Sequence, residues 1–503
     1  MLSMDIKRGI KNISYSVIGQ IITLIIGIFI PRLVIVSYGS EVNGLLSSTT
    51  TIISYLALLE AGVGAATCQA LYRPIHDQNR KSINEILSAT HYYYRRTGIA
   101  YFVLVSLISL LYPLVISSTL NYWFMSIIIF INGLPGVINY FFQRKYISFL
   151  EALGENYIII NLQTIITVVA SIMKIILLQL NVSIIIVQII YAITSLVQMI
   201  FILAYIKKKY GWISVREKPN YKALKQKNAA LVHQVCSLVT NSTDVIVLST
   251  FCNLETVSIY TVYNMIFAIV YNAVLSVNSG VQYALGQAFC NGKDYYVKIA
   301  DAYETYYVTI ASSLLLITYI MITPFLYLYT AGADINYIDP YFPLMFLIVK
   351  LLNSFRNSSI NTITVSGFFG ETQKHAVIES VLNLSISIFS VWKFGMVGVL
   401  FGTAVAFLYR CIVAIRFANK KILDRSCQHS FRVMFLNSLL IFIGVIFSRY
   451  ISFQCENYLA FFGKASLLAF TTLMLFGLIN SIFDINSFRL TKRIAFSKIM
   501  KKR

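Results

Sequence analysis

The chain has 503 residues, 57% hydrophobic and only 12% charged, with a mean hydropathy of +0.72. Soluble proteins carry about 25% charged residues, so a water-soluble enzyme of ordinary domains is excluded, and 24 Gly with 8 Pro are too few for a collagenous or disordered chain. The 41 Lys and Arg against 20 Asp and Glu, a formal +21, would suggest nucleic acid in a soluble protein; in a membrane protein their location decides the meaning.

A membrane-spanning helix needs about 20 mostly apolar residues, and polar breaks divide the chain into fourteen such runs. The first, 12–37, follows the basic segment Met1–Lys11 and is too long for a signal-peptide core, so no cleavable leader is expected. The next five are 44–72, 97–117, 121–142, 156–180 and 183–206. After a basic stretch come 230–252, 257–289, 304–331, 341–366, 376–393 and 397–417. The last two are 433–451 and 458–481. The polar stretch Asn79–Arg96 ahead of the third run reads as an amphipathic segment lying on anionic lipid.

With both termini placed in the cytoplasm, 33 of the 41 Lys and Arg fall on that side. They include Lys7, Arg8 and Lys11, Arg144 and Lys145, the linker Lys207–Lys227, and the tail from Arg489 to Arg503. Outer loops hold Glu41, Glu255, Asp334, Asp339 and Glu456, with at most Lys393. This is the positive-inside pattern of a multi-pass membrane protein with both ends inside. It removes the nucleic-acid reading.

The two halves resemble each other. Pro113 matches Pro324 and Tyr92 matches Tyr303, both at an offset of 211. The segment from Arg32 resembles that from Asp244, and Gly154-Glu155 matches Gly370-Glu371. The expected fold is therefore all-α, with about 14 transmembrane helices in two six-helix lobes, 1–206 and 230–417. A basic linker, 207–229, joins them, and a hairpin, 433–481, and a basic tail, 482–503, follow. Six is even, so both lobes share an orientation and a substrate path is expected between them.

The seven Cys and five His show no CxxC or HExxH spacing, so no disulfide framework, metal site or cofactor is expected. No Walker A sequence, GxSxG or catalytic loop is present, and transport rather than enzymatic chemistry is the reading. Charges inside the spans are the candidate site residues. Lys174, Lys393, Arg449 and Lys464 lie near span ends, where long side chains snorkel to the interface. Glu379 is one turn from an inner end. Lys350, Arg356 and Arg410, with Glu60 and Asp244, lie deeper, where a charge is costly unless it is paired or faces water. Arg32 and Asp244 fall at matched places of the two halves, so an outer gate pair across opposite lobes is expected. Pairing of Lys350 or Arg356 with Glu60 or Asp244 is the structural alternative. Gly395, Gly398 and Gly402 fit close helix packing.

The segment PRLVIVSYGSEVNGLLSSTTTIISYLALLEAGVGAA, together with DVIVLS, SIYTVYNMI and KFGMVGVLFGTAVA, resembles bacterial polysaccharide repeat-unit flippases (O-antigen or capsule) of the multidrug/oligosaccharidyl-lipid/polysaccharide exporter superfamily. The resemblance implies two lobes that alternate between inward- and outward-open states. The implied cargo is a polyprenyl-diphosphate-linked oligosaccharide carried to the outer leaflet. On that reading Arg32, Lys350 and Arg356 hold the diphosphate, while Asp244 and Glu60 serve gating or coupling to H+ or Na+. A monomer among membrane lipids is expected. A cation-coupled multidrug exporter and a lipid II flippase remain alternatives. A membrane-embedded glycan ligase or polymerase would want a larger outer loop than the roughly ten residues at Gly332–Pro340.

Overall fold

The computed structural model describes residues 26–500 apart from 61, 181, 222, 224–227, 451–452 and 454. The start of the first expected span, the N-terminal Lys7, Arg8 and Lys11, the linker residues Lys222, Lys225 and Lys227, and Lys501–Arg503 lie outside the described residues. Among the described residues the chain is helical, without strands. Ten segments there are long and apolar enough to cross a membrane. Large apolar side chains such as Phe389, Trp392, Phe435 and Leu459 stand mostly exposed, as a surface that faces lipid requires.

Contacts divide the chain into two compact units. Unit 1 comprises Met1–Ser258 and Ala333–Ile335; unit 2 comprises Ile259–Gly332 and Asn336–Arg503. Helix α9 (Asn228–Phe251), which follows the linker expected at 207–229, packs against α2 (Ser40–Leu56) within unit 1.

Unit 1 begins with α1 (Ile26–Tyr38), which ends at Gly39. There a φ of 87° allows the reversal into α2. The expected run 44–72 is broken: a 3₁₀ turn, Ala57–Glu60, and left-handed Gly62 (φ 73°) separate α2 from α3 (Val63–His76). Asn79 caps α4 (Arg80–Val115), accepting from the Ser82 N–H. α4 carries the expected amphipathic stretch straight into the span. Ile83, Ile86 and Leu87 pack against Leu71, Ile147 and Leu150, so that face is buried in protein instead of lying on lipid. α5 (Tyr122–Ile138), a π-helical turn (Asn139–Gln143) and α6 (Arg144–Ala152) form one continuous element. Arg144 and Lys145, expected in an inner loop, therefore sit inside a helix. α7 (Asn156–Gln179) and α8 (Ile184–Lys209) follow as an antiparallel pair.

Unit 2 contains most of α10 (Leu254–Cys290), then α11 (Lys293–Tyr329) and α12 (Phe342–Val365). α13 (Gln373–Phe417) folds back on itself at Gly395, whose φ of 53° and ψ of −131° no helix can hold. A Cβ on Gly398 would overlap the Ser390 carbonyl, and one on Gly402 would overlap Ser387. Gly398 and Gly402 thus serve close packing of the two arms, as expected, whereas Gly395 serves the reversal and has no neighbour within 4 Å of a Cβ. α14 (Gln428–Ser448) and α15 (Tyr458–Phe483) both pack on α11, and α16 (Ile485–Met500) closes the chain.

The two halves set out matching elements. α4 and α11 are 36 and 37 residues long, and each carries its proline, Pro113 or Pro324, near the C-terminal end. Glu155, in the turn before α7, binds Lys209 at 2.6 Å, and Glu371, before α13, binds Lys421. Burial pushes the Glu155 carboxyl up, but the Lys209 ammonium and the Tyr205 and Tyr210 hydroxyls outweigh it and hold it below the usual carboxylate range.

Candidate functional site

Unit 1 has an open-sided cavity of about 520 Å³ between α1, α2, α5, α7 and α8. Its polar lining includes Asn43, Ser47, Thr50, Asn132, Thr167, Ser171, Lys174 and Gln188. Lys174 is the one charged residue among the described lining, and its ammonium lies 4.2 Å from the Tyr191 ring centroid, a cation–π contact. Lys174 was expected to snorkel. Its depth near the end of α7 is as expected, but its side chain faces the cavity. Arg32, half-buried on α1, is not part of that lining.

Glu60 closes the 3₁₀ turn after α2 and is held by Arg144. The guanidinium Nε lies 2.8 Å from Oε1, and Tyr94 donates to the same oxygen at 2.9 Å. Arg144 also lies 3.6 Å from Glu151. The expected partners of Glu60, Lys350 and Arg356, belong to unit 2. The continuous α5–α6 element brings Arg144 to it instead.

Asp244 is buried on α9, in the same unit as Arg32 and not in an opposite one. Around it, helices that precede the linker are bonded to segments that follow it. The Tyr55 hydroxyl lies 2.6 Å from Thr243 Oγ1, the Tyr112 hydroxyl 2.5 Å from Ser249 Oγ, and Asn43 donates to Ser258 Oγ at 2.8 Å. A Cβ on Gly44 would overlap the Leu254 carbonyl oxygen. The Ser40 N–H and hydroxyl reach the Asp334 carboxylate at 3.0 and 2.5 Å. Burial pushes that carboxyl up, but the Ser40 hydroxyl and N–H outweigh it and hold it low. Glu41, Glu255 and Asp334, expected in outer loops, lie on the segments that make these contacts.

Unit 2 gathers its buried charges differently. Arg356 bonds Glu379, which also lies 3.6 Å from Arg410, and Arg356 donates to Asn353 at 2.7 Å. The Arg410 guanidinium donates to the Thr372 carbonyl at 3.1 Å. Two cations thus share one carboxylate. Lys350 donates to Asn264 at 2.9 Å and lies 5.9 Å from the Tyr271 ring centroid. Sequence reasoning set Glu379 aside as an end residue, but it is buried and central to this group. Its position in an otherwise apolar run was the available signal.

A last cluster ties α14 and the turn between α15 and α16 to α11. His429 Nδ1 lies 3.3 Å from both Asp301 and Glu304, and Nε2 lies 3.1 Å from Asp484. Three of these groups could ligate a metal by distance. The Arg425 guanidinium already bonds Asp301, and Ser430 donates to Glu304 at 2.8 Å. The cluster reads as an ion-pair network.

No protein-family model matches the chain, and no curated protein matches it. Solved structures do match. A structure described as lipid II flippase MurJ in an inward closed conformation has a TM-score of 0.69 at 14% identity, covering 94% of this chain and 99% of that one. An inward-facing multidrug resistance MATE family transporter of the MOP superfamily gives 0.63 at 16%, covering 80% and 94%. Its outward-facing counterpart gives 0.55 at 16%, covering 83% and 95%. The chain is a polytopic membrane protein whose fold is that of MOP-superfamily transporters.

Proposed function

We propose that the protein is a flippase of a bacterial cytoplasmic membrane that moves a polyprenyl-diphosphate-linked oligosaccharide from the inner to the outer leaflet, for surface polysaccharide biosynthesis. The observation that carries this reading is the lining of the unit 1 cavity: Lys174, amides and hydroxyls, and no carboxylate among the described lining residues. An exporter of cationic drugs wants negative charge in such a place. A diphosphate wants a cation, and sugar hydroxyls want amides and hydroxyls.

On this reading Lys174 joins Lys350 and Arg32 in handling the diphosphate. Arg356 holds Glu379 and positions Lys350's helix, and Glu60 is fixed by Arg144. Asp244, buried among the hydrogen bonds between α2 and α9, is the residue through which protonation or a cation would couple to the outer end. On this reading both termini lie in the cytoplasm, and the bonded contacts of α2 with α9 and the start of α10 in unit 1 lie toward the outer face. The test is deletion of the gene followed by extraction of lipid-linked intermediates. Accumulation of a completed lipid-linked oligosaccharide on the cytoplasmic face supports the reading. An unchanged intermediate pool with altered drug sensitivity supports the multidrug alternative, and accumulation of lipid II the third.

A further inference from the structure

We propose that unit 1 carries a second, separate site at its inner end: a cavity built to take a neutral, hydroxyl-rich group such as a sugar ring. The cavity measures about 470 Å³ and shares no lining residue with the one that holds Lys174. Its polar walls are Asn139 and Gln143 from the π turn, Asn156 and Gln163 from α7, and Ser195 and Gln198 from α8. Along α7, Gln163 and Lys174 are eleven residues apart, about 16 Å at 1.5 Å per residue. The volume falls within the range of small-molecule sites, roughly 300–1,000 Å³.

The local sequence explains the shape. Pro135 lies inside α5 and has no N–H to give to the preceding turn. Four residues later the helix widens into the π turn Asn139–Gln143, a rare form that concentrates at functional sites. The widened turn brings Asn139 and Gln143 into the lining of the cavity. Gln143 is 3% exposed, yet its Oε1 has no hydrogen-bond partner, and neither has the buried Asn139 Oδ1. Buried amide oxygens without partners are uncommon and costly.

Charge does not supply the missing partner. Arg144 and Glu151 both line the cavity too, but they lie 3.6 Å from each other, and the guanidinium is further engaged by Glu60 at 2.8 Å. The wall amides and the Ser195 hydroxyl can both donate and accept. A vicinal diol satisfies such a set; a phosphate does not. The diol can come from the cargo's glycan, an identification that rests on the flippase reading, or from a polyol lipid headgroup such as phosphatidylglycerol.

The test uses the full chain in phosphatidylethanolamine nanodiscs, with saturation-transfer NMR of methyl β-glucoside and methyl N-acetyl-β-glucosaminide. The wild type should show saturable transfer, and Gln143→Leu should reduce it at least tenfold. Gln198→Leu, at a less buried wall position, should reduce it at least threefold and serves where the Gln143 variant does not fold. Displacement of the glycosides by phosphatidylglycerol would assign the lipid headgroup as source; no displacement assigns the glycan. Undiminished transfer in both variants, no transfer in the wild type, or displacement by sodium or ammonium alone would overturn the proposal. Lost sugar binding with flipping intact would overturn only this site, whereas intact sugar binding without flipping would overturn the flippase reading.

Discussion

Arg356 is hydrogen-bonded to Glu379 inside unit 2, and the same carboxylate lies 3.6 Å from Arg410. Breaking a buried ion pair by removing one partner costs about 3–5 kcal/mol, so Arg356→Ala should lower the amount of folded protein. Lys350, bonded to the neutral Asn264, has a different expected signature. Lys350→Ala should keep protein level within twofold and reduce surface glycan at least tenfold, and Lys350→Arg should retain part of it. Immunoblotting and glycan staining of complemented deletion strains separate the two. Full export by Lys350→Ala would remove it from the diphosphate path.

Lys174 is the charge in the unit 1 cavity, and its depth places it near the end of α7. If it meets the diphosphate, Lys174→Met should reduce export at least tenfold with normal protein level. Lys174→Arg should restore most of the activity, because charge rather than shape is required. Tyr191→Phe keeps the ring under the ammonium and should change little. Equal export by the Met and Arg variants would reduce Lys174 to an anchor.

Sequence made some of this visible and hid the rest for a physical reason. Hydropathy gives span order and depth, so α4 and α11 with Pro113 and Pro324 emerged as matched elements. Depth does not give the face of a helix. Lys174 was therefore read as snorkelling, and Glu379 as an end residue. The partners of Glu60 and Arg356 depended on where helices end. Arg144 reaches Glu60 only because the helix runs through a π turn past the expected loop at 142. Arg32 and Asp244 were legible as matched positions, but their common membership of unit 1 follows from the packing of α9 on α2.

That packing is tightest at Gly44, where any side chain meets the Leu254 carbonyl. Gly44→Val should force α2 and the start of α10 apart. A cysteine introduced at Ser47, which lines the unit 1 cavity, should then react at least fivefold faster with an impermeant thiol reagent added outside. Asp334→Asn, which weakens the grip on Ser40, should act in the same direction and more weakly. Unchanged reactivity in both variants would mean that these contacts do not close the outer end.

Glu155 supplies a pH dependence. Its carboxyl is held low by Lys209, Tyr205 and Tyr210 against the upward push of burial. A depressed carboxyl stabilises the fold above its ordinary value, about 4.3 for Glu, and that contribution fades as pH falls through the lower folded value. Glu155→Gln should cost about 1–3 kcal/mol at pH 7, and its thermal stability should fall less steeply below pH 4 than that of the wild type. Parallel acid profiles for the two proteins would show that the carboxylate is not the source.

The most direct measurement is flipping itself. Purified protein is reconstituted into liposomes with a fluorescent polyprenyl-diphosphate-linked oligosaccharide, and label accessible to an impermeant quencher is followed with time. The flippase reading predicts protein-dependent equilibration between leaflets that Lys174→Met slows at least tenfold and Lys174→Arg largely restores. Equilibration no faster than in protein-free liposomes, or equally fast with the Met variant, would contradict it.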